Sequence, residues 1–431
     1  MSTTQDFIAQ PGPIQPDKCR TDDRQPLPPL QEILKRPRAE RPIYGIYSWF
    51  IDYPTYGKAI REIGFPNIRS GGPFTDEEFS MMIKDGLDIQ LTIGQALSKF
   101  ENEDAFIQGN IDRALELLRR YGPGGAFFKE HPELPYHPIE HLEIYNEPNF
   151  QYMVPNDTDI KEKARLYTRL QTAVYPAVKA EFPTVKILGF GAGGASAADV
   201  GFIDLCCKLD PAIYDTMDIL STHPYIDPIS PFLWKSWLKF SVASGLQNIK
   251  AILARGGKED MPIWYTELGW FIRPDAGGFY DACKDALDQV EHAAFNVQMY
   301  ALGMRLGVER IATMYIMDTD NCNAGFVNRD GSFRVAAEAT KVMISLMPDP
   351  RLVGALLDGE DNQYAYVFEA QPGGEEVTMV FHANAPATIT IPWNEPTAKV
   401  TDMVGHTAEV KAENGHLTLS AGPCPLYIRH A

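Results

Sequence analysis

His141-Leu-Glu-Ile-Tyr-Asn-Glu-Pro-Asn-Phe150 is the stretch from which the chain is read. Leu142 and Ile144 alternate with their neighbours and run straight into Asn146-Glu147, where Pro148 ends any further pairing; this is a buried strand carrying a polar pair to its carboxyl end. Met261-Pro-Ile-Trp-Tyr-Thr-Glu-Leu-Gly-Trp270 has the same build and delivers Glu267. In a barrel of alternating strands and helices, strand carboxyl ends carry the functional groups.

Outward from these two strands the same unit repeats. Short apolar runs at 43–50, 67–70, 88–93, 141–145, 185–190, 218–222, 262–266 and 311–317 alternate with helical periodicity at 55–63, 76–84, 105–121, 161–182, 197–209, 282–306 and 335–347. The long segment 231–255 ends helical. Thr75 with Glu78 forms a capping box, and Gly122-Pro-Gly-Gly125 stops the helix before it. Eight units in about 300 residues predict an α/β fold, a (β/α)8 TIM barrel over 42–348. After Pro348 and Pro350 the helical period gives way to short alternating runs separated by Gly, Pro and Asn, a small antiparallel β-sandwich over 349–431. Residues 1–41 read as a surface tail with one short helix near Leu30.

The 431 residues carry 57 acidic and 39 basic side chains, a formal charge of −18. That charge repels phosphate backbones and anionic lipid, so neither nucleic acid nor a membrane surface is an expected partner. No run approaches the roughly 20 apolar residues of a membrane span. The first 18 residues lack the apolar core of a secretory leader, which predicts a cytoplasmic protein, or a secreted one if a leader has been removed. Six scattered cysteines without metal-ligand spacing are expected to be free thiols.

Two strand-end carboxylates on opposite sides of a barrel mouth suit glycoside hydrolysis with retention, in which one carboxyl serves as acid and then base and the other as nucleophile. Asn146-Glu147-Pro148-Asn149 at the end of strand four, with Thr266-Glu267 at the end of strand seven, resembles the clan A glycoside hydrolases, most closely family 39, the β-xylosidases and α-L-iduronidases, and its relatives. The resemblance implies a retaining hydrolase acting on a carbohydrate with β-like linkage. By it Glu147 is the acid/base and Glu267 the nucleophile. Arg69 and Tyr225 would then hold Glu267 ionised, Asn146 would bind the sugar 2-hydroxyl, and His223 would orient a carboxylate or a hydroxyl. No cofactor and no metal are implied.

Aromatic residues cluster just past the strand ends, and sugars stack their C–H faces on such rings. Trp49 and Trp270 are the expected stacking platforms. Tyr315-Ile-Met-Asp318-Thr-Asp320 departs from the tryptophan that many clan members carry near the end of strand eight, so either Tyr315 or Trp270 is the expected floor, and Asp318 and Asp320 are candidates for hydroxyl contacts. A carbohydrate-binding barrel without catalysis is the alternative; a metal-dependent hydrolase lacks a His-x-His near the first strand to support it, and an aldolase lacks a central strand-end lysine.

Overall fold

The computed structural model describes residues 7–12, 19–20, 25–48, 53–72, 74–150, 152–194, 197–226, 228–235, 240–273, 287–318 and 323–430. Eight parallel strands close into a barrel: β1 (Tyr44–Tyr47), β2 (Asn67–Ser70), β3 (Asp88–Ile93), β4 (His141–Ile144), β5 (Lys186–Gly193), β6 (Ile219–His223), β7 (Ile263–Leu268) and β8 (Arg310–Met314), with β8 paired to β1. The outer ring is α1 (Tyr53–Ile63), α2 (Asp76–Lys84), α3 (Glu103–Tyr121), α4 (Ile160–Glu181), α5 (Ala198–Leu209), α6 (Val242–Arg255), α7 (Gln289–Leu306) and α8 (Val335–Leu346). Each helix follows its strand, so the expected eight-unit repeat is present.

Boundaries move where polar signals outweigh periodicity. The Thr75/Glu78 capping box starts α2 as expected. α7 begins at Gln289, not at 282, because Asp288 caps it and Glu291 closes the box; residues 274–286 lie outside those described. β5 extends three residues past the expected 190, to Gly193.

The C-terminal strands are β9 (Arg351–Asp358), β10 (Gln363–Glu369), β11 (Glu376–His382), β12 (Ala387–Pro392), β13 (Thr397–Thr401), β14 (Thr407–Lys411), β15 (His416–Ala421) and β16 (Leu426–His430). Six pair antiparallel in the order β9-β10-β11-β16-β13-β14, and β12 pairs with β15 as a second layer. Ile389, Ile391, Leu417 and Leu419 of the small layer bury against Val400 and Ile428 of the large one.

The described part of the N-terminal segment is tied to both domains. The Ile8 amide donates to Asp402 Oδ2, Cys19–Arg20 pairs with Trp234–Lys235, and Gln25 Nε2 donates to the Phe232 carbonyl. At the barrel's lower end Arg310 lies over the Trp264 ring (3.9 Å) and pairs with Asp88 at 2.6 Å, closing the floor. Among the described residues no helix is long and apolar enough to cross a membrane.

Candidate active site

The site begins with how β4 ends. Tyr145 (φ 76°) and Glu147 (φ 46°) both adopt left-handed backbone, a conformation that non-glycine residues take rarely and at a cost on the order of 1 kcal/mol each. Hydrogen bonds to β5 hold them there. The Glu147 amide donates to the Gly191 carbonyl at 2.8 Å, and Asn149 clamps Gly193, its Nδ2 donating to the Gly193 carbonyl (2.5 Å) and its Oδ1 accepting from the Gly193 amide (3.0 Å). The clamp needs glycine: a Cβ at Gly191 would lie 2.7 Å from the Tyr145 carbonyl, and one at Gly193 would run into the Glu147 carboxyl.

This turn aims Glu147 across the mouth at Glu267. One carboxylate oxygen of Glu147, one of Glu267 and a ring nitrogen of His223 lie within 4.8 Å of one another. All three residues are buried. Glu267 receives Arg69 Nη1 on Oε2 (2.8 Å) and the Tyr225 hydroxyl on Oε1. Glu147 Oε1 meets His223 Nδ1 at 3.0 Å, and His223 Nε2 meets Thr266 Oγ1 at 3.1 Å. Asn146 accepts from Arg69 Nη2 at 2.8 Å, which leaves its NH2 for a ligand. Of the residues picked from the sequence, Glu147, Glu267, Asn146, Arg69, His223 and Tyr225 therefore form one connected cluster at the carboxyl ends of β2, β4, β6 and β7.

Sequence reasoning passed over Glu143. It is fully buried within β4, four residues before Glu147, taking Arg69 Nε and Nη2 on Oε2 at 2.8 and 2.6 Å, the Thr92 hydroxyl on Oε2 at 2.8 Å, and the Thr266 hydroxyl on Oε1 at 2.6 Å. A buried guanidinium needs compensation, and Arg69 finds it in two carboxylates. Closure of the barrel turns Glu143 inward, where Arg69, Thr92 and Thr266 reach it from other strands.

The surroundings separate the three acids. Burial would raise Glu143, but the Arg69 cation and two hydroxyl donors hold it below the ordinary carboxylate range. Burial raises Glu147 to about 7, with Arg69 opposing and Glu143 reinforcing. Burial and the Glu147 charge also push Glu267 upward, against His223 and Arg69. Glu147 and Glu267 thus compete for one proton, as close carboxylate pairs do. Among the described residues Glu267 has a cation and a hydroxyl in direct contact and Glu147 has neither, so the proton resides on Glu147. Burial lowers His223 to about 4, which makes it neutral near pH 7.

The aromatic expectations divide. Tyr315 sits at the mouth beside Tyr47 (ring centroids 5.3 Å), and Tyr47 in turn carries the Arg69 guanidinium on its face (4.4 Å). Trp270 is corrected: it is 1% exposed, packed near Phe295, with its indole N–H donating to the Ile229 carbonyl, so it presents no face to a sugar. Its neighbour Phe271 turns the other way and joins Tyr47, Met314 and Tyr225 at the mouth. Trp49 lies outside the described residues, as does Asp320. Asp318 is corrected too, since both its oxygens accept from Arg334 (2.8 and 2.7 Å). Phe150, 36% exposed, stands beside Glu147 across Gly193.

Glu147, His223 and Glu267 have donor atoms of the kind that ligate metals, but Arg69 already places a positive charge on Glu267, and Glu147 Oε1 and His223 Nδ1 are hydrogen-bond partners of each other. Asp76, Glu130 and His131 make a second such group near the surface, where Arg120 pairs with both acids. A cleft of about 810 Å³ opens at the opposite, amino-terminal end of the barrel, among Arg36, Arg41, Lys250, Glu309 and Asp349. Its charges are of both signs and it lies at the end away from the strand carboxyl termini, so chemistry rather than cleft size locates the site.

No protein-family model matches the chain, and no curated protein matches it in sequence. In fold it is similar to solved structures. A family 39 glycoside hydrolase from Bacteroides cellulosilyticus WH2 is 21% identical with a TM-score of 0.70, the match covering 94% of this chain and 83% of that one. A glucosidase from Croceicoccus marinus is 15% identical (TM-score 0.61; 92% and 98% covered), and a monomeric β-xylosidase from Caulobacter crescentus CB15 is 14% identical (TM-score 0.58; 91% and 97%). The likeness takes in barrel and sandwich together.

Proposed function

We propose that the protein is a retaining glycoside hydrolase for β-linked glycosides, with Glu147 as acid and base and Glu267 as nucleophile. The observation that carries this reading is the approach of the two carboxylates, oxygens within 4.8 Å across the barrel mouth. Retaining enzymes hold their carboxyl groups about 5–5.5 Å apart, whereas inverting ones need about 6.5–9.5 Å to admit a water between them. The fold shared with proteins described as a glucosidase and a β-xylosidase supports the same substrate class.

In the first step a Glu267 oxygen bonds to the anomeric carbon as the bond to the leaving oxygen breaks, and the Glu147 proton passes to that oxygen. In the second, Glu147 takes a proton from water, the water oxygen bonds to the anomeric carbon, and Glu267 leaves as carboxylate. Arg69 and Tyr225 keep Glu267 charged before attack and receive it again on release. The free NH2 of Asn146 suits the sugar 2-hydroxyl, a contact that strengthens as oxocarbenium character develops.

The test is a panel of aryl β-glycosides with proton NMR of the first sugar released. Appearance of the β anomer first is the expected result. The α anomer first would make the enzyme inverting, and sugar binding without turnover across the panel would make it a recognition barrel.

A further inference from the structure

We infer that Glu143, Thr266 and His223 form a hydrogen-bond relay that fixes the imidazole as its Nε2–H tautomer and so parks a proton on Glu147. The inference rests on the acid role proposed for Glu147 and adds two positioning residues, Glu143 and Thr266, that set the tautomer of His223 against it.

The relay follows from counting hydrogens. Arg69 holds Glu143 ionised, so Glu143 only accepts. The Thr266 hydroxyl has one hydrogen, and Glu143 Oε1 at 2.6 Å takes it. Towards His223 Nε2, 3.1 Å away, the Thr266 oxygen can therefore only accept, and the ring hydrogen must sit on Nε2. A neutral ring then turns the Nδ1 lone pair towards Glu147 Oε1 at 3.0 Å. Two lone pairs at that distance repel, and a proton on Glu147 converts the contact into an O–H···N hydrogen bond.

The alternative, an imidazolium against a carboxylate, places a second cation in a buried site that already holds Arg69. The charged groups facing His223 are Glu147 and Glu143 from β4, Glu267 from β7 and Arg69 from β2. Arg69 is matched by Glu143 and Glu267, which leaves Glu147 as the acid whose charge has no cation of its own among the described residues. The relay also serves the second step. Once Glu147 has given its proton away, its carboxylate faces the Nδ1 lone pair, which sharpens it as the base that takes a proton from water.

Full-length protein labelled with ¹⁵N-histidine tests the relay apart from any activity. Long-range ¹H–¹⁵N spectra are expected to show His223 neutral, with Nδ1 unprotonated and Nε2 protonated, from pH 5 to 8. Thr266→Val removes the acceptor and frees the ring to place its hydrogen on Nδ1, where it would stabilise ionised Glu147. The Nδ1–H form should then appear, and the basic limb of kcat/KM should move to lower pH by about one unit, tenfold in the protonation equilibrium. Thr266→Ser should restore both. Wild-type His223 found as the Nδ1–H tautomer or as imidazolium over this range overturns the relay, whatever the variants do. A folded Thr266→Val protein with unchanged tautomer and unchanged pH limb overturns it as well. Absence of turnover on every glycoside removes the proposed function but leaves the tautomer reading standing on the spectra.

Discussion

Glu147 and Glu267 have the same side chain, and their neighbours set them apart, as the opposite tasks proposed for them require. Glu147→Gln and Glu267→Gln should each lower turnover on an unactivated glycoside by about 10²–10⁴-fold or more. With a good aryl leaving group the two should separate, Glu147→Gln recovering much of its first step because such a group needs little protonation, and Glu267→Gln recovering none; pre-steady-state release of the phenol reads the difference. Glu147 also sets a dependence of stability on pH. Its folded value near 7 is above the ordinary 4.5, so folding favours the protonated form. No cost arises below about pH 4.5, and the cost grows as pH rises through about 7, reaching roughly 3 kcal/mol on about 1.4 kcal/mol per unit. Glu147→Gln should therefore gain on wild type in thermal stability from pH 5 to pH 8; equal Tm differences at both would contradict the assignment. Much of this arrangement was legible in the sequence, because Asn146-Glu147-Pro148 and Thr266-Glu267 end apolar runs with polar groups. Glu143 and the two faces of Trp270-Phe271 were not. Which phase of a strand faces the interior is a fact of closure, and the local alternation of Leu142, Glu143 and Ile144 reads the same either way.

At the scale of elements, the site depends on β4 and β5 lying against each other with no side chain between them. Gly189-Phe-Gly-Ala-Gly193 has poor strand propensity, and periodicity ended the strand at 190. The run is glycine-rich because the left-handed turn from Tyr145 to Glu147 rests on it. Its positions therefore make sense only when both strands are seen together. Gly193→Ala should push the Glu147 carboxyl and the Phe150 ring away from their places, lowering kcat/KM by about 10²-fold, the scale of an ångström's misplacement, with little change in fold by circular dichroism. Asn149→Ala removes both ends of the clamp and should lose about 1–3 kcal/mol in denaturant unfolding, since it leaves buried backbone groups of Gly193 unpaired. A Gly193→Ala enzyme of wild-type rate would mean that Glu147 is not held by this contact. The helices were the most legible elements, with 161–182 and 197–209 matching α4 and α5 within a residue at each end, because amphipathic period and caps are local. The start of α7 was missed where apolar periodicity ran on past the true cap at Asp288.

On the scale of the whole molecule, α7 ties the barrel to the sandwich. Every residue from His292 to Leu306 is buried, which a helix on a barrel's outer ring achieves only if something covers its far side. The sandwich is that cover. Gln298 on α7 donates to the Pro423 carbonyl (2.6 Å) and accepts from Ser230, while Arg305 forms a two-pronged pair with Asp358 of β9 (3.0 and 2.7 Å) and donates to the Pro28 carbonyl of the N-terminal segment. From the β6–α6 connection Phe232 packs its ring against Tyr364 (4.4 Å) and Phe381 (5.0 Å) of the sandwich. The sequence boundary at 348 separates two patterns of periodicity, and it says nothing of whether either part is stable alone. The packing makes them one cooperative unit. Calorimetry should show a single unfolding transition with equal calorimetric and van't Hoff enthalpies. A fragment ending at residue 348 should aggregate, because it would expose the outer face of α7 together with Phe232. Arg305→Ala tests the seam without truncation: it leaves Asp358 half-buried without its cation, and the cost, toward the low end of the roughly 3–5 kcal/mol for breaking a buried pair, should lower the one Tm instead of splitting the transition. Two resolved transitions, in wild type or in this variant, would instead mean that the sandwich rides on a barrel able to stand without it, and that the site at its mouth owes nothing to residues beyond 348.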